Sequence, residues 1–264
     1  MNISSHLKEL HAGAESVWLA CQERAADLKI EVVAEIGSTN TELMERARQG
    51  RLDRVLMLAA HQTAGRGRMG RQWHDEPGRV LMFSLGMPFA SPPASGLALA
   101  VGVSLAEQVH PQLRLKWPND LWWNDAGQWR KVGGILVEAT QVKGESYVVV
   151  GVGINLLAHE VVGGHANAIP AGSLAEMGAC ENTADLLTRM IPALMSDMER
   201  FMAEGFGAFV RRFEAVDALL GREVSVPNGV SGVATGVRDD GALCVRSGDQ
   251  VEAIYSQEVS VRPC

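Results

Sequence analysis

The chain has 264 residues, 47% of them hydrophobic and 21% charged, which is enough apolar material for one large domain, or a medium domain with a small appendix, around a true core. A formal net charge of −7 excludes a protein built mainly to coat nucleic acid, because phosphate binding needs a broad basic face. Cys21, Cys180, Cys244 and Cys264 have no CxxC or metal-ligand spacing and read as reduced thiols; with no signal pattern and no apolar run of about 18 residues, a cytoplasmic protein without a membrane span is expected.

Residues 1–30 read as an amphipathic helical lead-in, with Val17, Trp18, Ala20, Cys21 and Leu28 as apolar positions. In "GSTNTELMERARQG" the stretch from Thr39 to Glu42 has the form of a capping box, so a helix start is expected there. Apolar runs at 55–60 and 79–87 flank "HQTAGRGRMGRQW", which gives strand, loop, strand. After the breaker "PFASPPASG", the segment "LALAVGVSLAEQVH" suits a buried helix. "LRLKWPNDLWW", "KVGGILVEAT" and "YVVVGVGINL" read as strands joined by short turns, which implies hairpins. A loop with Gly and His spans 157–172, and helices are expected over 183–204 and 206–219. From Gly221 short β segments separated by Asp240-Gly241 and Ser247-Gly248 turns predict a small terminal barrel. The expected fold class is therefore α+β: a mixed, largely antiparallel sheet with helices to one side over 1–219, and a β domain over 220–264.

Arg66, Arg68 and Arg71 crowd a glycine-punctuated loop in an otherwise acidic chain, which marks a local anion site. Gly65, Gly67 and Gly70 satisfy GxGxxG, but a dinucleotide fingerprint also needs a helix at its end and an acid about 20 residues on. No Asp or Glu occurs between Pro77 and Ala106. No GK[ST] closes the glycines into a P-loop, and the segment is too short and unrepetitive for an arginine-glycine RNA-binding tract. What remains is a glycine-hinged loop that arranges guanidinium groups around a small polyanion such as a triphosphate or an acyl phosphate.

"GSTN" at 37–40, "QTAGRGRMGRQW" at 62–73, "KWPND" at 116–120, "RKVGGILVE" at 130–138 and "GVGIN" at 151–155, in this order and spacing, resemble the biotin protein ligases, the biotin-[acetyl-CoA-carboxylase] ligase family. The resemblance covers roughly residues 31–260. It implies a catalytic core like that of class II aminoacyl-tRNA synthetases and an SH3-like C-terminal domain. It also implies a two-step reaction: biotin attacks the α-phosphate of MgATP to give biotinyl-5'-AMP, and a lysine of the biotin carboxyl carrier protein of acetyl-CoA carboxylase attacks that anhydride. Neither step needs a protein nucleophile, in keeping with a sequence that offers no Ser-His-Asp or Cys-His set.

By the same resemblance Ser38, Thr39, Asn40, Gln62, Gly65, Arg66, Gly67, Arg68, Lys131 and Gly134 hold biotin. Arg66, Arg68, Arg71, Trp73, Lys116, Asn119, Lys131 and Asn155 serve ATP, with no dedicated protein site for Mg2+. Lys131 is expected to bridge the biotin carboxylate and the α-phosphate, Arg68 to retain the adenylate, and Asp120 to act as base or orienting group toward the acceptor lysine. Plainer roles stand beside these: a turn cap for Gln62, a packing anchor for Trp73, surface charges for Arg71 and Lys116, and bend-forming residues at Pro118 and Asn119. Family members that double as repressors carry a DNA-binding domain ahead of "STN"; only about 37 residues precede it here, so no DNA binding is expected. A homodimer through an exposed sheet edge is compatible with the sequence. The rival readings are a lipoate or other acyl-acid protein ligase with the same adenylate chemistry, and a non-catalytic protein that senses biotinyl-AMP.

Overall fold

The computed structural model describes residues 3–93, 95–158, 169–179, 182–226, 229–255 and the backbone of 262–263. Most of the expected loop at 157–172 therefore lies outside the described residues. In chain order the elements are α1 (Ile3–Cys21), β1 (Lys29–Val33), α2 (Thr39–Arg48), β2 (Val55–Ala59), β3 (Val80–Phe89), α3 (Leu97–Val109), β4 (Arg114–Lys116), β5 (Asp120–Asp125), β6 (Gln128–Val142), β7 (Glu145–Asn155), α4 (Thr183–Glu204) and α5 (Val210–Val216). Five short strands follow: β8 (Glu223–Ser225), β9 (Ser231–Val237), β10 (Leu243–Ser247), β11 (Gln250–Ile254) and β12 (Arg262–Pro263).

The first seven strands form one sheet in the order β1-β2-β3-β7-β6-β5-β4, antiparallel except for the parallel β1–β2 pair. Side chains alternate between its faces. Leu56, Leu58, Leu81, Phe83, Leu85, Val148 and Val150 join the main core with α1, α3 and α4. Val55, Met57, Tyr147 and Val149 instead pack on Leu43, Met44 and Ala47 of α2. The long helices thus share one face as expected, while α2 covers part of the other, an arrangement the one-sided reading missed. The opposite-face cluster follows from the apolar i, i+1, i+4 spacing of Leu43, Met44 and Ala47 on α2.

Three local expectations need correction. The N-cap of α2 is Ser38, whose hydroxyl accepts from the Thr41 N–H at 3.4 Å, while Glu42 pairs with Arg46 at 2.8 Å. The cap is thus one residue earlier than the capping box placed it, because Thr39 is drawn into side-chain bonds of its own. On α1, Leu10, Val17 and Cys21 are buried against α4, but Trp18 is 52% exposed and Ala20 is also exposed. The last helical stretch breaks into a 3-10 turn (Phe206–Phe209) and α5, which ends at Val216.

The C-terminal strands form an antiparallel sheet in the order β11-β10-β9-β8-β12. Among the described residues its outer strands do not pair with each other, so the expected SH3-like domain is seen as a five-stranded antiparallel sheet and no closed barrel is described. It meets the core directly. The fully buried Trp117 donates its indole N–H to the Gly241 carbonyl at 3.0 Å, and Ala218 N–H donates to the Leu115 carbonyl at 3.0 Å. No helix of the described residues is long and apolar enough to cross a membrane.

Candidate active site

Beside α2 the sheet is hollowed out by sequence. Strand register sets Met82, Gly153, Gly134 and Asp120 in one row across four strands, and Ser84, Gly151 and Leu136 in the next. Where β2 and the far end of β7 carry large side chains on this face, the middle of these rows carries Gly153, Gly134, Gly151 and Ser84. The result is a cleft of about 960 Å3, open mouth included. Its glycines cannot be replaced freely: a Cβ on Gly153 would lie 2.5 Å from the Trp73 ring, and one on Gly151 would overlap Asn40 Oδ1.

One end of the cleft is a buried polar floor. The Thr39 N–H donates to Gln62 Oε1 at 2.8 Å, and the Thr39 hydroxyl lies 3.2 Å from that oxygen and 2.6 Å from the Ser84 hydroxyl. Ser84 in turn donates to Asn40 Oδ1 at 2.6 Å. Gln62 is therefore not a turn cap, since its amide oxygen receives the first turn of α2. Ser84 escaped the sequence reading; a single serine inside the apolar run "VLMFSLGM" was the available signal.

The other end is cationic. Arg68, Arg71, Lys116 and Lys131 line it, Arg66 reaches back toward Thr41 and Glu138 beside the floor, and Asp120 is the one acidic lining residue of the cleft among those described. Lys131 Nζ lies 2.7 Å from Asp120 Oδ1 and 5.7 Å from the centroid of the Trp73 ring. Its backbone is fixed from behind by bonds to Pro170 O and from Gly172 N, at 2.8 and 2.9 Å. Lys116 is only 4% exposed, and burial pulls its ammonium down to about 8 despite the attraction of Asp120. Arg68 is also lowered by burial, partly offset by Asp120. Its guanidinium donates to Asn119 Oδ1 at 3.3 Å, while Asn119 is stitched to Ile135 by bonds of 2.7 and 3.0 Å.

The arginine loop is a small folded hairpin. Trp73 N–H donates to Gly65 O at 2.9 Å and Gly67 N–H to Arg71 O at 2.8 Å, and Met69 turns the tip with φ 57°. Gly65 does not line the cleft; its task is to let the Trp73 carbonyl pass, which a Cβ would meet at 2.6 Å. Asn155 also lies outside the lining. It is 4% exposed, and its amide donates to the carbonyls of Lys131 and Gly172 at 3.3 and 2.9 Å, so it braces the lysine from behind. The remaining expected residues, Ser38, Thr39, Asn40, Gln62, Arg66, Gly67, Arg68, Arg71, Trp73, Lys116, Asn119, Asp120, Lys131 and Gly134, all line the one cleft.

Comparison with known proteins gives the family. Residues 32–155 match the Biotin/lipoate A/B protein ligase family and residues 219–262 the Biotin protein ligase C terminal domain. The chain is 32% identical to the biotin--[acetyl-CoA-carboxylase] ligase of Mycobacterium tuberculosis, over 88% of each protein. It is 31% identical to the bifunctional ligase/repressor BirA of Escherichia coli, over 88% of this chain and 74% of that one. Its fold is similar to that of the biotin protein ligase from Aquifex aeolicus in complex with biotin and ATP, with a TM-score of 0.72 and 26% identity over 90% of this chain and 99% of that one. The chain belongs to the biotin protein ligase family.

Proposed function

We propose that the chain activates biotin with MgATP to biotinyl-5'-AMP and transfers the biotinyl group to a lysine of the biotin carboxyl carrier protein of acetyl-CoA carboxylase, in the cytoplasm. The observation that carries the reading is the polarity of the cleft: a hydroxyl- and amide-lined floor at one end, and Arg68, Arg71, Lys116 and Lys131 with one carboxylate, Asp120, at the other. A ureido ring needs both donors and acceptors, which Ser38, Thr39, Asn40, Gln62 and Ser84 supply, whereas the dithiolane of lipoate has no hydrogen-bonding group to offer them. We assign the chemistry to 1–219, with 220–264 packed against its "KWPND" segment.

In the first step a biotin carboxylate oxygen attacks the α-phosphorus and pyrophosphate leaves. Lys131 sits between the two anions and offsets their repulsion, and Arg68 follows the charge at the α-phosphate. Arg71 and Lys116 face the departing pyrophosphate, and Mg2+ would be carried in by the triphosphate as part of the substrate. In the second step the carrier amine attacks the acyl carbon, AMP leaves, and Asp120 receives or orients the amine proton. The arginine hairpin covers the anhydride and keeps water from it.

The test is exchange of labelled pyrophosphate into ATP, run with biotin, lipoate and octanoate. Exchange with biotin alone is expected; exchange with lipoate instead would overturn the substrate, and silence with all three the reaction. Lys131→Ala is expected to fold and lose exchange by about a hundredfold or more. Arg68→Gly is expected to form adenylate and release it. Equal synthesis and retention in both variants and the parent would refute these two roles.

A further inference from the structure

A carboxylate outside the expected site residues joins the arginine hairpin to the floor of the cleft. Glu138 of β6 presents Oε1 at 3.2 Å and Oε2 at 3.4 Å to the Arg66 guanidinium, and Oε2 also accepts from the Asn40 amide at 3.1 Å. The same Asn40 nitrogen donates to Leu136 O at 3.3 Å, while its oxygen takes the Ser84 proton. Two acceptors on one side and a hydroxyl on the other allow this amide a single orientation. From Ser84 the bonds continue through the Thr39 hydroxyl, and from the Thr39 backbone N–H to Gln62, the residue at which the hairpin leaves the sheet. Arg66, Glu138, Asn40, Ser84, Thr39 and Gln62 thus form a ring closed by the chain itself, and Glu138 is its one anion.

We propose that Glu138 is a positioning residue of the ligase, which fixes Arg66 and Asn40 together at the biotin end of the cleft; the inference rests on the ligase reading above. A carboxylate can accept from Arg66 and Asn40 at once because both its oxygens are acceptors. A glutamine of the same size has one acceptor and must turn an amide N–H toward one of two donors. The Arg66 guanidinium then meets an amide donor where Oε1 was and loses its anion, while Asn40, still held by Leu136 O and Ser84, loses a charged acceptor, without loss of volume.

The pair is partly exposed, at 45% for the Arg66 side chain and 22% for that of Glu138, so the effect is moderate. Glu138→Gln is expected to raise KM for biotin about fivefold and to speed release of biotinyl-AMP by a similar factor, while KM for ATP and kcat for exchange change little. Glu138→Asp, which keeps the charge, is expected to recover part of the loss. In an Arg66→Gln background, adding Glu138→Gln is expected to change adenylate retention no further, whereas independent roles would multiply. Unchanged or tighter biotin binding in Glu138→Gln, a drop in thermal stability alone, or multiplicative effects in the double variant would each overturn the proposal. Absence of biotin-dependent exchange in the parent protein would refute the ligase reading itself, so the two failures are distinguishable.

Discussion

Lys116 shows how much a single side chain's setting can change its chemistry. The sequence leaves it balanced between a surface charge on an alternating strand and a nucleotide contact, and its burial decides for the cleft. Burial, and after it Lys131, Arg68 and Arg71, lower its ammonium from 10.5 to about 8, while Asp120 alone opposes them. Two consequences follow with fixed sign. A bound triphosphate favours the charged form, so KM for ATP is expected to rise as pH passes upward through about 8, and Lys116→Arg, which stays charged, is expected to lose that inflection. For folding, the depressed value means that the unfolded chain binds the proton more tightly between about pH 8 and 10.5. Stability is therefore reduced in full below pH 8 and recovers toward 10.5, by about 3 kcal/mol. Lys116→Met is expected to be more stable than the parent at pH 7, with the gap closing near pH 10.5. A pH-independent gap in denaturant midpoints would contradict the burial argument.

At the scale of elements, the motif loop was readable from its glycines and arginines, but the bonds that fold it were not. Sequence periodicity reports which face of an element meets the core; it is silent on a hairpin closed by backbone carbonyls and one buried carboxylate. That carboxylate is Asp75, whose side chain is 2% exposed. Its Oδ2 faces His61 Nδ1 at 3.1 Å and accepts from the Gln62 N–H at 3.4 Å, so it clasps the hairpin where its two arms leave the sheet. Nothing in "WHDEPG" distinguishes Asp75 from its acidic neighbour, because the distinction is made by residue 61, which lies across the loop. The same holds for Ser38 against Thr39: a capping pattern one residue away is outvoted by Gln62 and Ser84, which come from β2's exit and β3. Asp75→Asn keeps one acceptor and loses the charge, at a cost of about 1 to 2 kcal/mol. Trypsin is then expected to cut faster at the loop arginines, and biotinyl-AMP to leave faster, with pyrophosphate exchange retained. Unaltered cleavage at Arg66, Arg68 and Arg71 would show that the clasp does not hold the loop.

The whole molecule was legible as two β units with a helical layer, since hairpin turns and strand runs carry that information locally. Its closure was not, because the contacts that join the units are single residues on separate elements. The segment carrying Trp117, Asn119 and Asp120 is pinned on one side by the turn at Gly241 and on the other by β6. Gly241 approaches so closely that a Cβ there would lie 2.8 Å from the Cα of Gly96, which itself packs on Phe206. Next to this junction sits Asp217, bridged to Leu115 and accepting from the Leu219 N–H at 2.8 Å, with Oδ2 buried and unpartnered. Burial raises its carboxyl to about 6; bonds from Leu219 and Leu220 oppose the rise and Glu214 adds to it. Between pH 4 and 6 the folded chain thus keeps a proton that the unfolded chain has released, so this residue's contribution to stability declines as pH rises through that window, by on the order of 2 kcal/mol. Asp217→Asn keeps the acceptor for Leu219 and cannot ionise. Whatever fixed offset the new amide introduces, Tm of Asp217→Asn minus that of the parent is expected to be larger at pH 7 than at pH 4.5. A difference constant across that range would mean that Asp217 is ionised at no cost, and that the junction between the two sheets is open to water.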